Sequence, residues 1–583
     1  MRISISLSVL LLAMLTLGCG GNQEATTTTA AKGGKIYGGT YTLNILRGDP
    51  KGLDPVQVNS KHADDICTQI YDKLIDLNSK LELVPELARA LPAISEDGKL
   101  YRFTLRTDVK FQDDGCFPNG KGRRATAQDV KYSFTRCCDP RTQTLAFWAF
   151  KGKVRGASEY FEAINAGDTA GKEIPGFRAV NDSTFEIELV EPFAPFIYYL
   201  VNSLGSVVPR EAVEKYRENF FQHPVGTGAF TFASWTNREQ IILKRNPNYW
   251  ARDEQGNQLP FLDELRFRFV TDDKVQFSEF ENNTLDELFG IPTEFYTMVI
   301  DTATGKPTPK YASFQVQSTP AMLTWFFDFN TARPPFNNGD LRRAFNYAID
   351  RQKIVRYVLQ GSAYAPAVHG LVPPVFPNYQ TDAIKGYDYQ PELARQLLAK
   401  AGYPNGKGLE PITLFIYPEP RLVEVAQAVQ EMLTRELNVS VEIKQVEFAQ
   451  MQAQAELGRF TFWGTRWYGD YPDPETYLAL LYGANVPASD TLPSYPNGTR
   501  YISPGFDENF RKGVATIDAL ARMAHYAKAE QIGMNDAPLM PLFYEMHYQL
   551  LQPNVRGRWL DAMARMDLKF VWKEQGNTAQ KEE

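Results

Sequence analysis

The sequence predicts a large α/β protein with more than one domain, and three patterns carry that prediction. The chain has 583 residues, more than a single compact core usually holds. Residues 100–106 alternate between apolar and polar side chains, as a half-buried strand does. Residues 413–417 and 440–443 form two apolar strand patterns on either side of an amphipathic helix over 423–437. A strand–helix–strand unit of this length is typical of a parallel crossover.

Further helices and strands follow from the periodicity of apolar residues and from capping residues. Thr126 and Asp129 have the spacing of a capping box that opens a helix through Phe134. Gly361 is a stop signal after a long amphipathic pattern. These signals predict helices over 64–77, 340–359 and 391–401, and strands over 39–44, 184–189 and 240–243.

Composition and motifs argue against two classes of function. The chain is 43% hydrophobic and 22% charged, with a net charge of −7, whereas nucleic-acid binding needs a concentrated basic surface. None of the five histidines is paired on one helix face at metal-binding spacing, and no Gly-x-Ser-x-Gly elbow occurs. We therefore expect no nucleic-acid partner, no cofactor, no metal and no catalytic residue.

The first residues predict export and a membrane anchor. Arg2 precedes an apolar run over 3–17, which is too short to span a bilayer. Leu15 to Cys19 resembles a bacterial lipoprotein processing site, with Thr16 where leucine is usual. This resemblance implies a signal peptide over 1–19, a lipidated Cys19 and a membrane-anchored protein in the periplasm or at the cell surface. The alternative is an ordinary cleaved signal with an incidental cysteine. Small polar residues over 20–37 predict a flexible tether.

Four further cysteines follow the predicted leader: Cys67, Cys116, Cys137 and Cys138. Export permits disulfides. Cys116 lies in a loop rich in glycine and proline, and the adjacent Cys137 and Cys138 end a predicted helix. We therefore predict a disulfide between Cys116 and one member of that pair. Zinc is disfavoured because no Cys-x-x-Cys or paired histidine accompanies them.

A series of short motifs is spread over nearly the whole chain after residue 37. In chain order they are Leu53-Asp54-Pro55, Leu83-Val84-Pro85-Glu86-Leu87-Ala88, Phe103-Thr104-Leu105-Arg106, Gly226-Thr227-Gly228-Ala229-Phe230, Arg245-Asn246-Pro247-Asn248-Tyr249-Trp250 and Ala348-Ile349-Asp350-Arg351. With these motifs the chain resembles the large solute-binding proteins (family 5) of oligopeptide, dipeptide and nickel importers.

The resemblance implies a two-lobed α/β fold of the periplasmic-binding-protein type (class II), in the large peptide-binding variant. The first lobe would comprise residues 38–324 and 539–575, with an extra subdomain inserted at about 63–205. The second lobe would comprise residues 325–538, and residues 576–583 would form a loose tail. Closure of two such lobes on a ligand excludes water and strengthens polar contacts inside.

The resemblance also implies a ligand anchor at Asp470. In peptide-binding relatives a Trp-x-x-Asp element supplies the carboxylate that meets the free α-amino group of the peptide, and Trp467 and Asp470 match it. A desolvated ammonium needs such a charged partner. The alternative is an aspartate that caps the turn before Pro472. Tyr468 and Tyr471 are further candidates for the cleft wall.

Two segments are expected to pair with the ligand backbone as if it were an added strand. One contains Asn59, Ser60 and Lys61, and the other spans 464–467 and includes Arg466. Trp148 follows the Asp139-Pro140 turn, where the family often places an aromatic residue of the cleft.

The sequence therefore predicts a monomeric, lipid-anchored component of an ABC importer that delivers a peptide to permease and ATPase subunits. Alternatives with the same transport role have an oligosaccharide, a metal chelate or haem as the ligand. A more distant alternative is a secreted hydrolase whose catalytic residues are dispersed along the chain.

Overall fold

Three β-sheets form the framework of the computed structural model, which describes residues 28–45, 50–58 and 60–574. The largest sheet has seven strands, built around two long antiparallel neighbours, Gln315–Phe329 and Leu539–Leu551. Its strand order is Glu287–Phe289, Leu539–Leu551, Gln315–Phe329, Phe462–Tyr468, Ile412–Ile416 and Val441–Gln445, and Ala365–Pro366 pairs with Leu539–Leu551.

Two four-stranded sheets lie in the first half of the chain. One has the order Phe230–Thr236, Gln240–Arg245, Glu264–Arg268 and Thr40–Asn44, and its last pair is parallel. The other has the order Ala93–Ile94, Leu100–Thr104, Thr184–Glu188 and Phe177–Asn181.

The principal α-helices surround these sheets. They are Lys61–Ile70, Ala127–Cys137, Ala157–Asn165, Arg210–Tyr216, Asp273–Glu281, Thr293–Val299, Gly339–Tyr347, Pro391–Lys400, Pro420–Leu437, Phe448–Glu456, Pro504–Ala515 and Ala519–Asp536. Across residues 28–45, 50–58 and 60–574, no helix is both long and apolar enough to cross a bilayer.

The predicted parallel crossover is confirmed. Ile412–Ile416 and Val441–Gln445 pair in parallel, and the helix Pro420–Leu437 connects them. Its buried face, which includes Leu422, Val429 and Leu433, packs into an apolar core of its own. The capping box is also confirmed, since the side chains of Thr126 and Asp129 cap the helix Ala127–Cys137.

Two predicted helices are wrong in extent. The prediction over 64–77 is a helix only to Ile70, and Ile75–Leu77 is a strand that pairs with Leu83–Pro85. The pattern over 340–359 is divided at residues 348–350, where the Asp350 side chain caps a new helical turn. Apolar spacing alone could not reveal these breaks, because both are stabilised by contacts distant in sequence. Arg351, for example, is buried and donates to the carbonyl of Pro541 at 2.6 Å.

The predicted tether over 20–37 is wrong for its last residues. Thr29–Ala30 pairs with Ile36–Tyr37, and the turn between them is attached to the loop at 253–257. Lys35 pairs with Asp253 at 2.6 Å, and the backbone N–H of Lys32 donates to Asn257 at 2.9 Å. Residues 20–27, Cys19 with the predicted signal peptide, and the predicted tail over 576–583 lie outside the described residues.

The predicted disulfide is absent, since Cys67, Cys116, Cys137 and Cys138 are all free thiols. Cys137 and Cys138 are buried in the apolar core, and the Cys137 thiol lies 3.5 Å from the carbonyl of Leu204. Cys116 belongs to a partly exposed loop, where its backbone N–H donates to Asp114. The fold therefore separates a core pair from a loop residue that sequence spacing had suggested could meet.

One motif glycine pair is explained by close packing. Gly226 and Gly228 pass the end of the helix Lys61–Ile70, and the N–H of Gly228 donates to the carbonyl of Ile70 at 2.8 Å. A Cβ atom at Gly228 would lie 2.5 Å from the carbonyl carbon of Ile70. A side chain at this position would therefore push the two segments apart.

Candidate functional site

The strand Phe462–Tyr468, here called the site strand, has one edge that is largely free. Its first edge pairs antiparallel with Gln315–Phe329 over its full length. Its second edge meets Ile412–Ile416 only at Trp463. Beyond Trp463 no strand within the described ranges covers that second edge, so an extended ligand backbone could pair there.

The turn after the site strand is held on both sides. The N–H of Gly469 donates to the carbonyl of Met322 at 3.0 Å. The hydroxyl of Thr476 accepts from the indole of Trp467 at 3.2 Å and from the backbone N–H of Asp470 at 3.3 Å. These bonds fix where the side chain of Asp470 leaves the backbone.

The Asp470 carboxylate is reachable by solvent yet enclosed by protein. The side chain is exposed, but the surrounding atoms desolvate it and raise its pKa to about 6. No cation and no hydrogen-bond donor from the part of the chain that the structure describes is paired with its carboxylate oxygens. This accessible but desolvated charge lacks the counter-ion that such a position usually requires.

The neighbouring Asp473 has the structural role expected of a buried acid. It is fully buried and pairs with Arg522 at 3.0 Å. Its side chain also accepts from the backbone N–H of Glu475 at 3.0 Å. The contrast with Asp470 argues against the capping alternative for Asp470, since Asp473 is the acid that caps this turn.

An aromatic wall stands beside Asp470. The ring centroids of Tyr471 and Tyr199 are 4.9 Å apart, and those of Tyr199 and Trp148 are 5.0 Å apart. Trp148 is 45% exposed, as the prediction of a cleft aromatic requires. Tyr471 is buried and donates its hydroxyl proton to Glu475, so it supports the wall instead of lining the cleft. Burial raises the pKa of Glu475 to about 7.

Tyr468 and Arg466 extend from the site strand toward a second group of side chains. The hydroxyl of Tyr468 lies 2.6 Å from Nε2 of His547. Burial lowers the pKa of His547 to about 4, so its ring is neutral at pH 7. The guanidinium of Arg466 lies over the ring of Trp325 at 4.7 Å.

The second predicted pairing segment fits the structure less well. Ser60 has an extended backbone, but its side chain accepts from the N–H of Ala63 and caps a helix. Lys61 is the first residue of that helix and pairs with Asp65. The prediction that Lys61 pairs as part of an extended segment is therefore wrong, because the Ser60 cap starts the helix there. Asn59 lies outside the described residues.

Sequence reasoning missed two residues near Asp470. Tyr495 is 57% exposed, and the Asp470 carboxylate is, after desolvation, the main cause that raises the pKa of Tyr495. Asn202 donates to the backbone carbonyl of Asp470 at 3.4 Å. Both residues come from loops remote in sequence, and no local motif marks either of them.

Metal binding and a separate cavity do not account for the site. No group of three or more histidine, cysteine, aspartate or glutamate side chains could hold a metal within residues 28–45, 50–58 and 60–574. A cavity of about 430 Å³ is lined by Pro50, Lys51, Phe221, Gln222, His223, Phe232, Trp235 and Asn237. None of these residues belongs to the group around Asp470.

Comparison with known proteins identifies the family. The sequence model described as bacterial extracellular solute-binding proteins, family 5 (middle part), matches residues 82–488. The chain belongs to this family. Its members are solute-binding proteins of transport systems, and the predicted two-lobed periplasmic-binding-protein fold is confirmed by solved structures.

Curated relatives differ in the ligand that their names state. Heme-binding protein A of Haemophilus influenzae is 26% identical, and the alignment covers 96% of each chain. The oligopeptide-binding protein OppA of Escherichia coli is 27% identical over 87% of each chain. The glutathione-binding protein GsiB of Shigella flexneri is 26% identical over 87% of this chain and 90% of its own.

Solved structures match over almost the whole chain. DppA of Helicobacter pylori in complex with the peptide STSA has a TM-score of 0.72 and 25% identity, covering 92% of this chain and 99% of its own. The murein tripeptide-binding protein MppA, in an unliganded open form, has a TM-score of 0.72 and 24% identity, covering 94% of this chain and 98% of its own.

Proposed function

We propose that this protein captures short peptides by their free amino group and delivers them to the permease of an ABC importer. The observation that carries the proposal is the Asp470 carboxylate, which is desolvated, reachable and without a counter-ion among residues 28–45, 50–58 and 60–574. An α-ammonium supplies both the missing charge and hydrogen-bond donors. Because every unmodified peptide carries that group, one anchor serves many sequences.

Two further features support a peptide. The free edge of the site strand offers backbone groups to an extended ligand, and such pairing is independent of the ligand's side chains. Exposed Trp148 and Tyr495 provide apolar contact area near Asp470 without demanding one partner. A role in binding alone uses all of these features, and none of them requires bond breaking.

The anchor is tested with a matched pair of peptides and one variant. Asp470→Asn should weaken binding of a free tripeptide by about 2–5 kcal/mol, because the ammonium then enters the cleft without its counter-charge. Acetylation of the peptide amino group should cause a similar loss in the unaltered protein. Isothermal titration calorimetry measures both effects.

Asp182→Asn, an exposed aspartate in the turn between two strands, is the control and should bind normally. Equal affinity for acetylated and free peptides would contradict the proposed role of Asp470 as the anchor. Strong binding of haem or of an oligosaccharide, with no heat from any peptide, would instead favour that ligand over a peptide.

We also propose that Cys19 carries a lipid anchor and that the mature protein acts as a monomer beside its permease and ATPase partners. The Leu15 to Cys19 processing pattern supports the anchor. Replacement of Cys19 by serine should move the protein from the membrane to the soluble fraction without changing peptide affinity. A protein that stays with the membrane after this change would contradict the anchor.

A further inference from the structure

A short hairpin precedes the first long strand and is folded onto the body of the protein. Its two strands, Thr29–Ala30 and Ile36–Tyr37, pair antiparallel. This N-terminal hairpin lies against the loop at 253–257 and beside the strand Trp572–Lys573. It therefore belongs to the folded body, although the composition of residues 20–37 is typical of a flexible tether.

Polar contacts attach the N-terminal hairpin to the loop. The backbone of Lys32 donates to the Asn257 side chain at 2.9 Å and accepts from it at 3.1 Å. Lys35 forms an ion pair with Asp253 at 2.6 Å, and Asp253 also accepts from the Asn257 side chain at 2.9 Å. Burial raises the pKa of Asp253, but the bonds from Lys35 and Asn257 outweigh this effect and lower the pKa to about 2. The aspartate therefore stays ionised and paired at neutral pH.

Aromatic packing fixes the base of the N-terminal hairpin. The ring centroids of Tyr37 and Phe261 are 5.2 Å apart, and the guanidinium of Arg245 lies over Tyr37 at 5.1 Å. The N–H of Gly38 donates to the carbonyl of Phe261 at 2.8 Å. These contacts and those of the loop attach the chain to the body from Thr28 onward, and not only from Gly38.

The position of Thr28 limits how far the body can turn away from a lipid on Cys19. Nine residue steps separate Cys19 from Thr28, and they span at most about 30 Å. Without the N-terminal hairpin, nineteen steps would separate Cys19 from Gly38 and would span at most about 65 Å. A compact body made of residues 38–574 has a diameter of about 60 Å. The shorter span cannot reach around this body, whereas the longer one could.

We propose that the N-terminal hairpin keeps the end of the protein formed by the loop at 253–257 beside the membrane. This inference rests on the lipid anchor proposed above. An orientation in which this end points away from the bilayer needs a span of about 60 Å between Cys19 and Thr28, about twice what the chain allows. The surface around the N-terminal hairpin is thus a membrane-facing surface, and its partner is the lipid headgroup layer.

The test measures energy transfer from a dye on the protein to a labelled lipid. The acylated protein is placed in phosphatidylcholine vesicles, and the dye is attached to Glu254→Cys, a change at an exposed position of the loop. Cys116→Ser removes the partly exposed native thiol, and the other thiols of the described residues are buried. This labelled protein is the parent for two altered chains.

The altered chains lengthen the connection to Cys19 in different ways. One carries about ten additional glycine and serine residues after Thr27, so that the root-mean-square length of the connection rises by about 1.5-fold. The other replaces residues 29–36 by the same number of glycine and serine residues, so that only the fold of the N-terminal hairpin is lost. Both should transfer less energy to the lipid than the parent does.

The same insertion after Gly171, in an exposed turn, is the matched control and should leave the transfer unchanged. Thermal melting checks that the body of each chain is folded. The insertion after Thr27 precedes every residue of the body, so it tests the span even if the replacement of residues 29–36 disturbs folding.

Cys19→Ser separates this inference from the anchor itself. Full energy transfer in Cys19→Ser would contradict the lipid anchor, and the inference would fail with it. If Cys19→Ser abolishes the transfer while the insertion and the replacement leave it unchanged, the anchor stands and the inference is overturned. A loss on insertion without a loss on replacement would show that the N-terminal hairpin does not limit the span, and would overturn the inference as well.

Discussion

At the scale of single residues, the site is defined by charges without partners. Most acids and bases around it are neutralised within the chain, as Asp473 is by Arg522. The protein surrounds Asp470 closely enough to raise its pKa to about 6, yet no counter-ion in the described ranges pairs with its carboxylate. Such a residue makes the ligand-free cleft less stable than an apolar surface would be, and a cationic ligand relieves that cost.

The raised pKa of Asp470 predicts the pH dependence of peptide binding. Only the ionised carboxylate attracts an ammonium, so affinity should fall as pH decreases through about 6, by about tenfold per pH unit well below that value. Above about pH 8 the ligand's amino group loses its proton and affinity should fall again. Calorimetry at constant ionic strength between pH 4.5 and 9 would measure this profile.

Asp470→Asn is the control for this profile. Its weaker binding should show no step near pH 6, because no titrating anchor remains. A step near pH 7 that survives in this variant would point to Glu475, whose pKa lies at about 7 in the wall behind Tyr471. That result would contradict the assignment of the profile to Asp470.

At the scale of helices and strands, a buried ion pair attaches the helix Ala127–Cys137 to the Leu53-Asp54-Pro55 segment. Arg136, in the helix Ala127–Cys137, donates to both oxygens of Asp54 at 3.0 and 2.6 Å. Both side chains are buried, and Asp54 also caps the turn Pro55–Gln57. The Leu53-Asp54-Pro55 motif is thus explained by a structural contact and not by contact with a ligand.

Asp54→Asn should lower the free energy of unfolding by about 3–5 kcal/mol, because Arg136 would remain buried without its counter-charge. Denaturant unfolding followed by circular dichroism would measure the change. Asp113→Asn is a matched control, since Asp113 belongs to an exposed pair with Lys121 and should cost about 1 kcal/mol or less. Equal losses in the two variants would show that the Asp54 pair is not desolvated in solution.

At the scale of the whole molecule, two distant parts of the chain meet beside Asp470. Tyr199 packs on Tyr471, and Asn202 donates to the carbonyl of Asp470. Farther along, the N–H of Ala194 donates to the carbonyl of Val514 at 2.7 Å. These contacts join the segment around 193–202 to the segments around 470 and 514, as expected of a cleft that is closed at this end.

Closure of the cleft on its ligand predicts that a residue without direct contact to the peptide still affects the peptide affinity. Tyr199→Ala should weaken peptide binding by about 1 kcal/mol, because it removes a ring pair that joins the two segments beside the anchor. Small-angle X-ray scattering should show a smaller radius of gyration with peptide, and a smaller decrease in the variant. Tyr357→Ala, an exposed tyrosine, should change neither measurement. An unchanged radius on saturation would contradict closure.

Local sequence patterns predicted much of the fold and one part of the candidate site. Alternation, amphipathic spacing and capping residues depend on neighbours in sequence, so the crossover unit and the capping box over Thr126 and Asp129 were predictable. The short motifs spread along the chain after residue 37 indicated the family, and the family model that matches residues 82–488 confirms it.

Tertiary structure alone decided which of these residues are available to a ligand. Whether an acid is neutralised depends on side chains that packing brings from elsewhere, which is why Asp470 and Asp473 look alike in sequence and differ in the structure. The same reason accounts for Tyr471 being buried, Cys116 remaining apart from Cys137 and Cys138, and Tyr495 standing beside the anchor. Sequence determined the local elements, and long-range packing determined their exposure and charge balance.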